Sequence, residues 1–231
     1  MMTICHNCSH TEFLGVECAW PTPSCPEAAA PRRQRFVSWS IKAVAVLSLL
    51  VALSQFGQAG YIHAKAWLAQ TLISQAWQKT LAGDTQVKPW PWADTWPVAR
   101  LSVPARGVEL YVLAGSQGRS LAFGPGHVFG TAAPGAAGNS VIGGHRDTHF
   151  AFLEWVQAGE TVEVEMPTGE VASYRITDQR VVDKSDTGVL VSAPEAHRLT
   201  LVTCYPFNAL RAGGPLRYVV TAEQIGASER L

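Results

Sequence analysis

Apolar and polar positions divide the chain into regimes of different period. Between Ala43 and Ile62, twenty residues carry no charged side chain, and at about 1.5 Å per helical residue they span roughly the 30 Å of a bilayer core. Beyond them, apolar residues recur at Ala64, Leu68, Leu72 and Ala76 and, one row over, at Ala69, Ile73, Trp77 and Leu81. This broad stripe at helical spacing, ended by Gly83-Asp84, predicts a packing helix. From about Ala99 the period drops to two. Val108, Leu110 and Val112 alternate with Glu109, and Val162, Val164 and Met166 alternate with Thr161, Glu163 and Glu165, the pattern of half-buried strands. Pro167-Thr168-Gly169 then turns the chain into Ala172, Tyr174 and Ile176, a hairpin signal. Further apolar runs at Val189–Val191, Leu199–Val202 and Tyr218–Val220, with short connections and no second long helical pattern, predict an all-β barrel or sandwich.

Four segments follow: a tail over residues 1–35, a transmembrane anchor over 36–62, a helix with a Trp/Pro-rich linker over 63–98, and the β-domain over 99–231. Arg32, Arg33, Arg35 and Lys42 flank the anchor on its N-terminal side, against a single Lys65 close behind it. The positive-inside bias therefore puts the N-terminus in the cytoplasm and the β-domain outside. Gly57-Gln58-Ala59 offers a cleavage-like spacing, but the basic region begins late for a secretory signal, so an uncleaved anchor is expected. Three prolines and three tryptophans in Lys88–Pro97 deny a helix and supply apolar area, which predicts an extended segment lying on the domain.

Composition narrows the functional classes. The 231 residues hold 18 basic and 18 acidic side chains, and 16% charge is low for a globular chain. Zero net charge removes the electrostatic footprint of a nucleic-acid binder. Of five cysteines, Cys5, Cys8, Cys18 and Cys25 crowd the tail, where their spacing fits a zinc site poorly and the Pro/Thr/Ala-rich context predicts disorder. Nine of the twenty glycines fall between Gly115 and Gly144, so that stretch should be turn-rich.

Cys204 stands alone. It ends the strand-like run Leu199-Thr-Leu-Val-Thr-Cys204, stopped by Tyr205-Pro206, which places the thiol where a strand meets a loop. A lone cysteine is more often inert than reactive, so its companions matter. The best candidate base is His145 in Gly143-Gly144-His145-Arg146-Asp147-Thr148, where the glycines let a backbone approach closely. Arg217, thirteen positions after Cys204, returns to the level of the thiol if the two strands pair antiparallel, and a fixed cation there suits a developing oxyanion. Arg211 is the rival for that role, less rigidly held in a Gly-flanked loop.

In this order, Thr200-Leu201-Val202-Thr203-Cys204, the upstream Gly144-His145-Arg146 and the downstream Arg217 resemble the signature of the sortase family of membrane-anchored cysteine transpeptidases. Gly124-Pro125-Gly126-His127, Asn139 to Thr148 and Tyr205-Pro206-Phe207 extend the resemblance over roughly residues 99 to 222. The Tyr-Pro-Phe ending and the Trp-rich segment look like class GN, the marine proteobacterial type of Gram-negative bacteria. The long Cys-containing tail departs from it.

The resemblance implies a closed β-barrel of about eight strands behind a transmembrane helix and a short packing helix. It implies that Cys204 attacks the Thr–Gly carbonyl of an LPxTG-like C-terminal sorting signal, that His145 moves the proton, that Arg217 holds the oxyanion and that Thr203 lines the site. An amine then accepts the acyl group. His127 is expected to be a local structural contact, and Asp147 a capping or solvated carboxylate rather than a third catalytic member. No metal or cofactor is implied, and the expected location is the inner membrane, single-pass, with the catalytic domain periplasmic. Two other readings compete: a cysteine peptidase that releases its substrate by hydrolysis, and a non-catalytic envelope-binding β-domain. A papain-like arrangement is disfavoured because His145 precedes Cys204.

Overall fold

The computed structural model describes residues 32–191, 195–209, 211 and 213–226. The four tail cysteines and the disorder expected around them lie outside these residues. The first element, α1 (Arg32–Leu81), carries both the expected apolar stretch and the expected packing stretch. The boundary between the chain's two compact units falls inside it, after Gln55. Up to that boundary the large apolar side chains from Ile41 to Leu53 are solvent-exposed, and Trp39–Leu81 contains a window long and apolar enough to cross a membrane by length and composition. Beyond the boundary the buried face is Ala69, Ile73, Ala76, Trp77 and Thr80. Of the expected broad stripe, Ala69, Ile73, Ala76 and Trp77 face the domain, whereas Leu68 is exposed. Trp77 is fully buried, and its indole Nε1 donates to Glu165 Oε2 at 3.3 Å. Arg100 Nε donates to the same carboxylate oxygen at 2.7 Å, so one acid ties helix and barrel together. The helix stops where Gly83 takes a positive φ of 106° and its N–H turns back to Thr80 O.

Eight strands follow: β1 (Pro97–Val103), β2 (Val108–Ala114), β3 (Gly126–His127), β4 (Gly138–Gly143), β5 (Thr161–Glu165), β6 (Val171–Asp183), β7 (His197–Tyr205) and β8 (Leu216–Gln224). They close into a barrel in the order β1-β2-β3-β4-β7-β8-β6-β5, in agreement with the expected barrel. The β5–β6 hairpin forms around the Pro167-Thr168-Gly169 turn, with Thr161 opposite Arg175 and Glu165 opposite Val171. Alternation sorts the side chains: Leu101, Val112, Ile142, Val164, Tyr174, Leu199, Leu201 and Val220 fill the core.

Two segments depart from expectation. Val189–Val191 is not a strand: Thr187–Leu190 is a short 3₁₀ turn. The Asp186 carboxylate caps the Gly188 N–H at 2.8 Å, so local side-chain chemistry overrides the apolar run. The Trp-rich segment contains a turn from Trp90 to Ala93 rather than lying extended throughout. Trp90 meets Phe123 edge to face at 5.0 Å, and Thr95 and Trp96 bond to Ala114, while Trp92 is exposed.

Trp77→Ala removes the largest fully buried side chain and leaves Glu165 without one donor. The expected cost is about 3–5 kcal/mol, read as a lowered denaturation midpoint; a loss under about 1 kcal/mol would show that the helix contributes little to the barrel.

Candidate active site

Strand register decides which side chains share a face. In β7, Leu199 and Leu201 point into the core, so Thr200, Val202 and Cys204 lie on the outer face. In β8, Val220 and Ala222 are core residues, which puts Arg217 on the outer face as well. Cys204 and Arg217 are direct cross-strand partners in the antiparallel β7–β8 ladder. On the other side of β7 runs β4 in parallel, with Val141 level with Thr200 and Gly143 level with Val202. The pattern continues one step beyond the strand. Gly144 N–H donates to Val202 O at 3.1 Å, and Thr203 Oγ1 donates to Gly144 O at 2.8 Å. The next residue, His145, is thereby delivered to the level of Cys204.

His145 is exposed, and its carbonyl accepts the Phe150 N–H at 2.9 Å, which folds residues 145–150 into a compact turn. Gly144 is required by that turn: a Cβ there would sit 2.7 Å from the ring of the fully buried Phe150. The glycine therefore accommodates the core beneath it. Cys204 is half-buried with a free thiol. Arg217 is half-buried too, and Nη1 alone donates to Gly214 O and Leu216 O, both at 2.8 Å. These bonds engage one of its three nitrogens and hold the guanidinium at the mouth of the β7–β8 connection. Asp183, at the end of β6, is held below the ordinary carboxylate range by the hydroxyl and amide of Ser185, with Lys184 and Arg217 adding weaker attraction.

The remaining candidates separate clearly. Thr203 lies behind the outer face, 2% exposed, its hydroxyl engaged with Gly144. Arg211 is exposed in the β7–β8 connection and its carbonyl accepts from Arg146. His127 makes a local tie, its Nε2 meeting Ala132 O at 2.8 Å and Thr131 Oγ1 at 3.2 Å. Asp147 accepts from Arg146 Nε at 3.1 Å, so its carboxylate is directed to that guanidinium. Among the described residues, no cluster of His, Cys, Asp and Glu could hold a metal ion.

Two neighbours had no role readable in the sequence. Arg146 is buried and bonds three carbonyls of the β7–β8 connection. His149 is half-buried, and burial, followed by the like charge on His145, lowers its pKa from the ordinary histidine value.

A closed eight-stranded barrel with a cysteine and an arginine paired across β7–β8 and a histidine two residues past the end of β4 defines a recognisable class. The chain matches the sortase domain family model over residues 101–225 and belongs to the sortase family. It is 31% identical over 125 residues to Sortase D of Bacillus subtilis (strain 168), a match that spans 54% of this chain and 62% of that relative's length. Among solved structures it is similar to a Clostridium perfringens Sortase D5 transpeptidase, with 29% identity and a TM-score of 0.52 over 66% of this chain and 89% of that one. It is also similar to the pilus-related Sortase C of Group B Streptococcus, with 26% identity and a TM-score of 0.51 over 58% and 70% of the two chains.

The His149 shift has a thermodynamic consequence. A histidine with a folded pKa below its unfolded value of about 6.5 holds fewer protons folded than unfolded, so its contribution is fully present above that value and is lost as pH falls toward the folded pKa. Calorimetry of wild type and His149→Gln from pH 7.5 to 5.5 should show the wild-type Tm falling more steeply; parallel curves would remove His149 from the pH dependence.

Proposed function

We propose that this protein is a membrane-anchored cysteine transpeptidase that cleaves an LPxTG-like C-terminal sorting signal between Thr and Gly and transfers the new carboxyl end to an amine. One observation supports the reading most: Cys204 and Arg217 are cross-strand partners in the β7–β8 ladder, and His145 follows two residues after the β4–β7 pairing ends beside them. Membership of the sortase family supports it.

The steps follow from the chemistry of the three groups. The Cys204 sulfur attacks the threonine carbonyl carbon, and the carbonyl oxygen becomes an oxyanion facing the Arg217 guanidinium, whose Nε and Nη2 lie outside its backbone bonds. The His145 imidazolium gives its proton to the departing glycine nitrogen, the C–N bond breaks, and a thioester to Cys204 remains. His145, now neutral, takes a proton from the incoming amine as that nitrogen attacks the thioester. The thiolate leaves and an amide is formed. Thr203 holds the Gly144 carbonyl and so the approach of His145, a positioning role behind the site.

The finer points of the reading are a class GN subtype, with support from Tyr205-Pro206-Phe207 and the Trp-rich segment, and a single-pass location in the inner membrane. The basic flank ahead of the apolar helix favours a cytoplasmic N-terminus and a periplasmic barrel. Hydrolytic release differs only in the acceptor. A non-catalytic binding domain leaves the Cys204–Arg217 pairing without a purpose.

Intact-protein mass spectrometry with a Leu-Pro-x-Thr-Gly peptide, with and without an amine, tests the reaction. Wild type should gain the mass of the N-terminal peptide fragment, and Cys204→Ala should not. His145→Ala should slow acylation by about 10²–10⁴-fold, and Arg217→Ala by about 10²–10³-fold. A thiol that reacts with iodoacetamide but never with the peptide rejects this sorting signal, whereas an unreactive thiol rejects the mechanism. Product formed only with the amine present separates transfer from hydrolysis.

Asp147→Asn supplies an independent check. Its carboxylate is 66% exposed and paired with Arg146, so turnover should stay within about threefold, as for a weak exposed ion pair. A loss near 10⁴-fold would instead make it a member of a triad.

A further inference from the structure

We propose that Arg146 is a positioning residue, the peg that holds Pro206, Ala209 and Arg211 of the β7–β8 connection, and that it sets the separation of Cys204 and His145. The inference rests on the reading of those two residues as nucleophile and acid–base. The Arg146 side chain is 4% exposed. Its Nη1 donates to Pro206 O at 2.8 Å, its Nη2 to Ala209 O at 2.6 Å and to Arg211 O at 3.1 Å, and its Nε to Asp147 Oδ1 at 3.1 Å.

Three carbonyl oxygens within six residues of chain turn toward one cation. Their dipoles oppose one another unless a positive charge lies between them, and a buried guanidinium is tolerated only when its N–H groups are met. Each condition is satisfied by the other. The fork geometry matters, because donors diverging from a plane reach carbonyls in three directions, whereas a lysine presents a single point of charge.

The position of the peg in the chain gives it a role in the reaction. Arg146 immediately follows His145, and Pro206 lies two residues after Cys204. On the other side of the same two groups, Thr203 immediately precedes Cys204 and bonds Gly144, which immediately precedes His145. The nucleophile and the base are thus bracketed, with the Thr203–Gly144 bond before them and the Arg146–Pro206 bond after them. Losing the first tie leaves them joined by strand pairing; losing the second frees the chain beyond Cys204. A displacement of about 1 Å between reacting groups costs on the order of 10²-fold in rate.

The test compares full-length wild type, Arg146→Lys and Arg146→Met in detergent with three readouts. Iodoacetamide alkylation of Cys204 at pH 7 should stay within about threefold, showing that barrel and thiol persist. Hydrogen exchange at residues 205–209 and 211 should accelerate at least tenfold in Arg146→Met, while β4 and β8 keep their protection. Acylation by the Leu-Pro-x-Thr-Gly peptide at saturation should fall about 30- to 100-fold, with the half-saturating concentration within threefold and Arg146→Lys recovering part of the loss. Wild-type acylation rates in a variant with a loosened connection would overturn the positioning role, and unchanged exchange would overturn the peg itself. If wild type is not acylated by this peptide, the sorting-signal reading fails separately and the exchange result alone decides the peg. If Arg146→Met does not fold, Arg146→Lys carries the comparison, and full exchange protection in it would overturn the proposal.

Discussion

Because β4 and β7 run parallel in one register while β7 and β8 run antiparallel in another, Arg217 stands opposite Cys204 and the chain leaves β4 toward His145 beside the same end of β7. Everything proposed for the site depends on that double pairing. A strand has a period of two, so a slip of one residue in either ladder would carry the affected side chain through the sheet to the core face. The core opposes such a slip. Leu199, Leu201, Ile142, Val220 and Ala222 would all have to leave the barrel interior for Cys204, Arg217 or His145 to lose its place. Packing apolar residues inside the barrel and aligning polar residues outside it are thus two results of the same register.

The region just past the ends of the strands is held by different means. Strand pairing ends near Cys204, and beyond it the chain is organised by charged side chains bound to backbone carbonyls: Arg217 on Gly214 and Leu216, Arg146 on Pro206, Ala209 and Arg211. Hydrogen bonds with one charged partner are about twice as strong as neutral ones. The ends of the β7–β8 connection are each fixed by an arginine, one of which also faces the thiol across the ladder.

The sequence made the strands and their chemistry legible to different depths. Alternation exposed β2, β5 and β6, and the Pro167-Thr168-Gly169 turn exposed their hairpin, because both signals are local. The Cys204–Arg217 pairing was legible because an antiparallel return over thirteen residues constrains geometry strongly. Val189–Val191 was misread because apolar content without alternation does not report direction, while the Asp186 cap that turns the chain acts through a single side chain. The phase of α1 was partly legible: a broad stripe was visible, and packing buries its Ala69, Ile73, Ala76 and Trp77 while leaving Leu68 exposed. Arg146 was visible in the motif but had no readable role. Its partners are backbone carbonyls some sixty positions away, and a carbonyl has no letter in a sequence.

The parallel pairing of β4 with β7 has a consequence for the birth of the protein. Gly144 and Thr203 are 59 residues apart in the chain, and the β5–β6 hairpin lies between them, so their contact is among the most non-local in the barrel. Local hairpins form early, and pairings that close long loops form late. Cys204 therefore meets Arg217 through a local return of the chain but meets the end of β4 only when the long loop closes. The Gly144–Thr203 tie comes into being only with this late pairing, and a chain that stalls before it carries Cys204 on an unfinished sheet.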